Sequence, residues 1–246
     1  MPMSQPRRHH VHAHVYKNKW HLLATIGFVI TPFLFLLVFA PFARIAFSVL
    51  IWDVLFSSWR LAVAYVIALV LAWVLAVSFY RGPQAVIALP LFDVLQSFPT
   101  FAALPLAVTV WGESEKTVIF FLVITVIWPI FFSIFSSLKL MKKEWYEAVE
   151  VSRLSGWQYI RLFLLPVSIP GLITGSVVGL GEGWEALVAT EIIVQSKIGL
   201  GSFFQAHSSE TMVTAFGILG FLLLIFSINK LLWLPLLEWS HHYLDE

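Results

Sequence analysis

Residues 117–138 read TVIFFLVITVIWPIFFSIFSSL, 22 positions without a charged side chain. A helix needs about 20 apolar residues to cross the hydrocarbon core of a bilayer, so this stretch is long enough to span. Its apolar run is continuous, whereas the strands of a membrane barrel alternate apolar and polar positions over roughly ten residues. The stretch therefore predicts a transmembrane α-helix, and the same test sorts the rest of the chain.

Toward the N-terminus, residues 61–80 supply 20 uncharged positions and residues 22–43 supply 22. Residues 85–111 predict a further span, interrupted by Pro90, Pro99 and Pro105 and carrying Asp93, Gln96 and Ser97. Toward the C-terminus, one span is predicted from near Pro166 to Val194 and another from Met212 to about Leu232. The expectation is an all-α integral membrane protein with about six transmembrane helices in one domain, residues 22–236. A polar tail, 1–21, and an acidic end, 237–246, flank it. Residues 44–60, which include Asp53, are expected to lie as an amphipathic piece at the interface. There are no clear internal repeats or low-complexity stretches.

Composition agrees with this. Hydrophobic residues make up 59% of the chain and charged ones 12%, about half the roughly 25% of a soluble domain. The 22 Phe and 11 Trp suit lipid-facing surfaces and interfacial belts. A net charge of +1 leaves no basic domain to neutralise phosphates, so a nucleic-acid partner is not expected. Cysteine is absent, which excludes disulfides and thiolate metal sites. Residues 22–43 exceed the roughly 7–15 residues of a signal-peptide core and are read as a span. His9, His10, His12 and His14 in the tail, and His241 and His242 near the end, are as well explained by polar termini as by a metal. No metal site and no cofactor are assigned.

Basic residues orient the spans. With the N-terminus inside, eleven basic residues fall on internal segments; Arg44, Arg60, Lys116 and Lys197 are the four outside. The positive-inside rule then places both termini, and the segment 139–166, in the cytoplasm.

That segment reads Lys142-Lys143-Glu144-Trp145-Tyr146-Glu147-Ala148-Val149-Glu150, then Gly156 and Leu165-Pro166. Lys143 and Glu147 sit four apart, and Glu150 and Arg153 three apart, so a short surface helix is predicted. Any cytoplasmic loop can hold such a helix. The spacing adds more: Glu147-Ala148, with Leu165-Pro166 placing the proline nineteen residues after the Glu, resembles the coupling segment of permease subunits of binding-protein-dependent ABC importers. Val149 replaces the family's second Ala, and Arg153 stands where its Gly usually falls, with Gly156 three residues late. Two further stretches are similar to the nitrate, sulfonate and taurine branch. These are Pro90…Asp93…Gln96-Ser97-Phe98-Pro99…Pro105, and Pro170-Gly171…Gly183-Trp184…Glu191 followed by Gly199-Leu200-Gly201.

The resemblance implies a type I importer permease in the bacterial inner membrane that forms the translocation pathway for a small polar or anionic solute. It would pair with a second permease subunit, two copies of an ABC ATPase and an extracytoplasmic binding protein. Glu147, Ala148, Val149, Gly156, Leu165 and Pro166 would couple it to the ATPase. The sequence has no Gly-x-x-x-x-Gly-Lys-Ser/Thr phosphate loop, so ATP hydrolysis is expected on a partner and the chain is not expected to be an enzyme.

Asp93, Gln96, Ser97, Glu182, Glu185 and Glu191 are the candidate pathway residues. A carboxylate at mid-bilayer costs about 2.5–3.5 kcal/mol, so each needs a cavity, a partner or an interface. Glu191 also lies close enough to the span's end to reach the headgroups. Glu182 and Glu185 share a helix face; their alternative is a structural partner such as Arg60 or Lys197. Gly171, Gly175, Gly179 and Gly183 predict tight helix packing, with an unwound pathway segment near Gly181 as the alternative. Three other functions remain open on the residues alone: an ion-coupled carrier, a membrane enzyme, and an interaction subunit without a pathway.

Overall fold

The computed structural model describes residues 19–141, 143–233 and 235–236. The tail and terminal histidines, Lys142 and the acidic end lie outside them. Every regular element among the described residues is helical. Helix α1 spans Lys19–Phe42, α2 Phe47–Phe79, α3 Gln84–Gln96, α4 Thr100–Trp111 and α5 Glu115–Lys139. Next come α6, Lys143–Val151, and α7, Gly156–Tyr159, which passes through a π-turn at Ile160–Leu164 into α8, Leu165–Ile193. Helix α9, Leu200–Ala206, precedes α10, Thr211–Ile228, which continues as a π-turn over Asn229–Trp233.

Four helical segments are long and apolar enough to cross a bilayer: Phe47–Phe79, Glu115–Lys139, Gly156–Ile193 and Thr211–Trp233. A fifth is the bent pair Ala88–Gln96 and Thr100–Trp111, which turns through 77° where Ser97 to Pro99 interrupt it. Proline lacks the N–H that would continue the ladder, and the residue before it avoids helical backbone. The expected first span falls in α1, whose stretch Ile26–Phe42 is apolar.

Residues 44–60 differ from expectation. They do not form a separate interfacial piece: Arg44 turns the chain at φ 55°, and from Phe47 onward they are the opening turns of a 33-residue helix. Asp53, Ser57 and Arg60 are buried on the same face as Ala64, Ala68, Ala72 and Ala76. The polar residues point into the protein, and the outward positions are apolar.

Helix α5 lies at the centre, packed on α8 and on α2. Phe131, Leu122, Ile130, Ile134 and Leu138 along it are wholly buried. Its first turn is fixed by Ser114, whose hydroxyl accepts from the Thr117 N–H. In lipid, such packing relies on close contact and not on water exclusion, and small residues provide it here. A methyl group at Gly175 would sit 2.6 Å from Ile130 Cα and 2.8 Å from the Pro129 carbonyl oxygen. At Gly171 it would strike the Ser133 carbonyl oxygen, and at Gly183 the Leu61 side chain, 2.8 Å away. α8 stays helical throughout, so the glycine stripe is a packing surface.

Helix α1 packs on α10. The Ser227 hydroxyl donates to the Phe28 carbonyl at 2.7 Å, and Lys230 Nζ stands 4.2 Å from the Phe28 ring centre. Much of the outer surface is apolar, with Val66, Val70, Leu106 and Val110 each more than half exposed, as lipid contact allows.

Candidate functional site

Helix α8 has two faces. The glycine stripe closes one against α5. On the other, Thr174, Val178, Gly181, Glu182 and Glu185 are all exposed; Thr174, Val178, Glu182 and Glu185 recur at three to four residues, which keeps them on one side. Glu182 and Glu185 sit in the C-terminal half of this 29-residue helix, several turns from its start and about three and two turns from its end. Lipid contact there would cost about 2.5–3.5 kcal/mol for each charge, so this face belongs against water or another polypeptide.

Beside it lies a cleft of about 400 Å³, lined by the break between α3 and α4, by Ile124, Thr125, Trp128 and Pro129 of α5, and by Glu182. Gln96, Thr100 and Thr125 give it neutral polar groups, and Phe98, Phe101 and Trp128 give it rings. Gln96 and Glu182, 86 positions apart in the sequence, thus share one concavity. Asp93 and Ser97 are exposed but do not line it; the Ser97 hydroxyl donates to the Asp93 carbonyl at 2.9 Å and closes the end of α3. Glu185 stands on the open face beyond the cleft.

Glu191 is placed quite differently. It has no exposed surface, and its carboxylate is held from several sides. Arg60 Nη1 donates to Oε1 at 2.6 Å, and the Ser57 hydroxyl donates at 2.8 Å. The Gly201 N–H donates to Oε2 at 2.8 Å. The second branch of Arg60 reaches Glu115 at the start of α5, Nε to Oε2 at 2.7 Å, while Nη1 also donates to the Ile198 carbonyl at 2.7 Å. Asp53 accepts from the Gly199 N–H at 2.9 Å, and Ser57 accepts from the Leu200 N–H at 2.9 Å. One guanidinium therefore ties α2, α5, α8 and the 194–199 turn together.

Gly199-Leu200-Gly201 follows from this. Three successive N–H groups face Asp53, Ser57 and Glu191, and Gly199 has φ 140°, where an L side chain is strained. A Cβ on it would lie 2.6 Å from Glu191 Oε2 and 2.8 Å from Arg60 Nη1. Arg60, considered above as a partner for Glu182 or Glu185, is committed to Glu191 and Glu115. Asp53, Ser57 and Glu115 were missed from the sequence. The signal for them was Asp53, Ser57, Arg60 at helical spacing, running directly into the alanine stripe.

At the opposite end, α6 carries Glu147 and Ala148 exposed and Val149 half-buried. Val149, Glu150, Arg153, Gly156 and Tyr159, with Arg81 from the end of α2, line a second cleft of about 600 Å³. The Tyr80 and Tyr159 hydroxyls meet at 2.8 Å and fasten this loop to α2. Arg153 and Gly156 both take left-handed backbone, φ 50° and 54°. The turn thus adopts at Arg153 a conformation that favours glycine. Pro166 lies directly after the π-turn Ile160–Leu164, in the opening turn of α8, and Leu165 beside it is exposed. Trp157 and Val151 on the same loop are more than two-thirds exposed. No group of three or more His, Asp or Glu among the described residues is arranged to hold a metal.

Relatives that align with the chain include three transport permeases. The nitrate import permease protein of Leptolyngbya laminosa is 29% identical over 182 residues, covering 71% of this chain and 65% of that protein. A bicarbonate transport system permease protein of Synechococcus elongatus is 26% identical, covering 63% and 56%. The taurine transport system permease protein of Escherichia coli is 30% identical, covering 48% and 42%. In each case the aligned part is less than two thirds of the relative's own length. Residues 68–234, well over half of the chain, match the family described as the binding-protein-dependent transport system inner membrane component. That match takes in the broken span, the open face of α8, the Glu191 end of the buried cluster and the loop from 139 to 166. The chain is a multi-pass membrane protein and belongs to that family of binding-protein-dependent inner membrane components.

Proposed function

We propose that the chain is the translocating subunit of an ABC importer for a small polar solute, and that its pathway runs along the open face of α8 and the cleft beside it. One observation carries this reading: two carboxylates stand exposed well inside a spanning helix whose opposite face is packed glycine against backbone. Such a face is tolerable only where water or a partner covers it. A second permease subunit, most simply another copy, would complete the enclosure. An extracytoplasmic binding protein would deliver solute at the Arg60 end, and two ATPase subunits would dock on α6 and α7 at the cytoplasmic end, with both termini on that side.

The loop supports the docking role. Glu147 and Ala148 lie on the exposed side of α6, where a small residue admits a close helix and a carboxylate meets a basic partner. The Tyr80–Tyr159 hydrogen bond and the direct run of α7 into α8 give the loop two routes into the spans.

The test is energetic. Uptake by the assembled transporter should stop with vanadate and persist under a protonophore when ATP is maintained; the reverse result would assign the chain to ion-coupled carriers. Glu147→Arg and Ala148→Trp should each leave the protein inserted but make ATPase activity insensitive to loaded binding protein. Normal uptake in both variants would remove the loop from the coupling path.

A further inference from the structure

Resting on that reading of the pathway, we propose that the cleft under the α3–α4 break selects a solute carrying a cationic nitrogen, an ammonium or a protonated or quaternised heterocycle, with Glu182 as its counter-ion. The lining has the composition such a group requires. Glu182 is the single charged residue among the described lining residues, and none of them is basic. Phe98, Phe101 and Trp128 are the rings around it, and the negative face of an aromatic ring attracts a cation within about 6 Å, tryptophan most strongly. Trp128 is fixed in place, edge-on to Phe131 with centroids 6.4 Å apart and tilted on Phe92 at 6.1 Å. Gln96, Thr100 and Thr125 add neutral hydrogen-bonding groups for the rest of the solute. At about 400 Å³ the cleft falls within the roughly 300–1,000 Å³ of small-molecule pockets.

An inorganic anion finds no basic group among the described lining residues. Arg60, the cation on the spanning part of α2, is 5% exposed and carries two carboxylates already. Glu185 on the same open face adds negative charge close to the cleft mouth. Names of the relatives include nitrate, bicarbonate and taurine; of those three chemistries, only taurine offers an amine for Glu182 to meet.

The chain's lack of cysteine makes a direct test practical. Ala102 lines the cleft, so Ala102→Cys places one thiol there, and Val66→Cys on the apolar outer face of α2 is the control. The full chain in membrane vesicles is treated with a trimethylammonium or a sulfonate methanethiosulfonate reagent, purified after quenching, and scored by intact mass. Rates are divided by those for a free thiol. The cationic reagent should be favoured in the Ala102→Cys variant by about tenfold, as expected for a nearby unit charge in a medium of intermediate dielectric. Adding Glu182→Gln should abolish the preference, Glu182→Asp should keep it, and choline should slow the labelling more than nitrate does.

Equal normalised rates, an anionic preference, or a preference that survives Glu182→Gln in well-expressed protein would overturn the substrate class while leaving the pathway reading intact. Labelling of the Ala102→Cys variant by neither reagent would show that the cleft holds no water, and would overturn the pathway reading and this inference together.

Discussion

Glu185 and Glu191 stand six residues apart on one helix, yet one is open and the other has no accessible surface. The difference lies in what faces them. Six residues turn a helix through about 600°, or 240° beyond a full turn, so the two carboxylates point to different sides. Glu191 meets Ser57 and Arg60 of α2 and the backbone N–H of Gly201, while Glu185 stands exposed. In a membrane protein, then, the presence of a carboxylate in a span says little about its role. Its angular position relative to the packing stripe says a great deal.

Neutralisation breaks this comparison most sharply. Removing one partner of a buried ion pair costs about 3–5 kcal/mol, so Glu191→Gln or Arg60→Met should sharply reduce expression and melting temperature. Glu182→Gln and Glu185→Gln should stay within about 0.5 kcal/mol of wild type, as exposed substitutions do, and change transport instead. Thermal melts of the four purified variants decide it: similar losses for both carboxylate groups would erase the distinction between them.

A second contrast uses the two sides of α8 without any charge. Gly175→Leu drives a side chain into α5 backbone and should cost about 1–3 kcal/mol or more, the range for overpacking. Gly181→Ala meets nothing within 4 Å and should be neutral or stabilising by about 0.5–1 kcal/mol, the usual gain of alanine over glycine within a helix. A stable Gly175→Leu would mean that α5 and α8 are not in close contact.

The smallest effect is expected in the loop. Left-handed backbone costs a non-glycine residue about 1–2 kcal/mol, so Arg153→Gly should stabilise the turn by about that amount, less the entropy glycine adds to the unfolded chain. Slower amide exchange over 148–158 would show it. Unchanged or faster exchange would mean that Arg153 contacts offset the backbone cost.

Most of the architecture could be read from uncharged run lengths, because a bilayer demands continuous apolar helices and little else resembles them. Of the three prolines expected to interrupt the third span, only Pro99 lies at the break, and Pro90 and Pro105 stay inside α3 and α4. Four glycines at intervals of four made a tightly packed face of α8 legible, but not that α5 covers it. Burial of Asp53, Ser57 and Arg60 was not legible. Hydropathy reads three polar residues near a span's end as interfacial; their spacing into the alanine stripe marks a shared face, but the partner carboxylates that bury it lie 55 and 131 positions away. The Gln96–Glu182 meeting was hidden for the same reason: it depends on how far the chain bends at 97–99, and no local signal gives that angle.

The run from Gly156 to Ile193 is continuous helix, fastened at its far end by the Arg60–Glu191 pair. At 1.5 Å per residue the loop end stands about 50 Å from Glu191 and Glu185 only about 9 Å from it. Mechanically this is a lever with its fulcrum beside the load. Rotation about the pinned end would reduce a displacement at Gly156 between five- and sixfold at Glu185, a ratio that paired spin-label distances at the two positions would measure. A movement of several ångströms at the loop end would reach the open face as a shift of about 1 Å, small enough to adjust a carboxylate's contact with a solute.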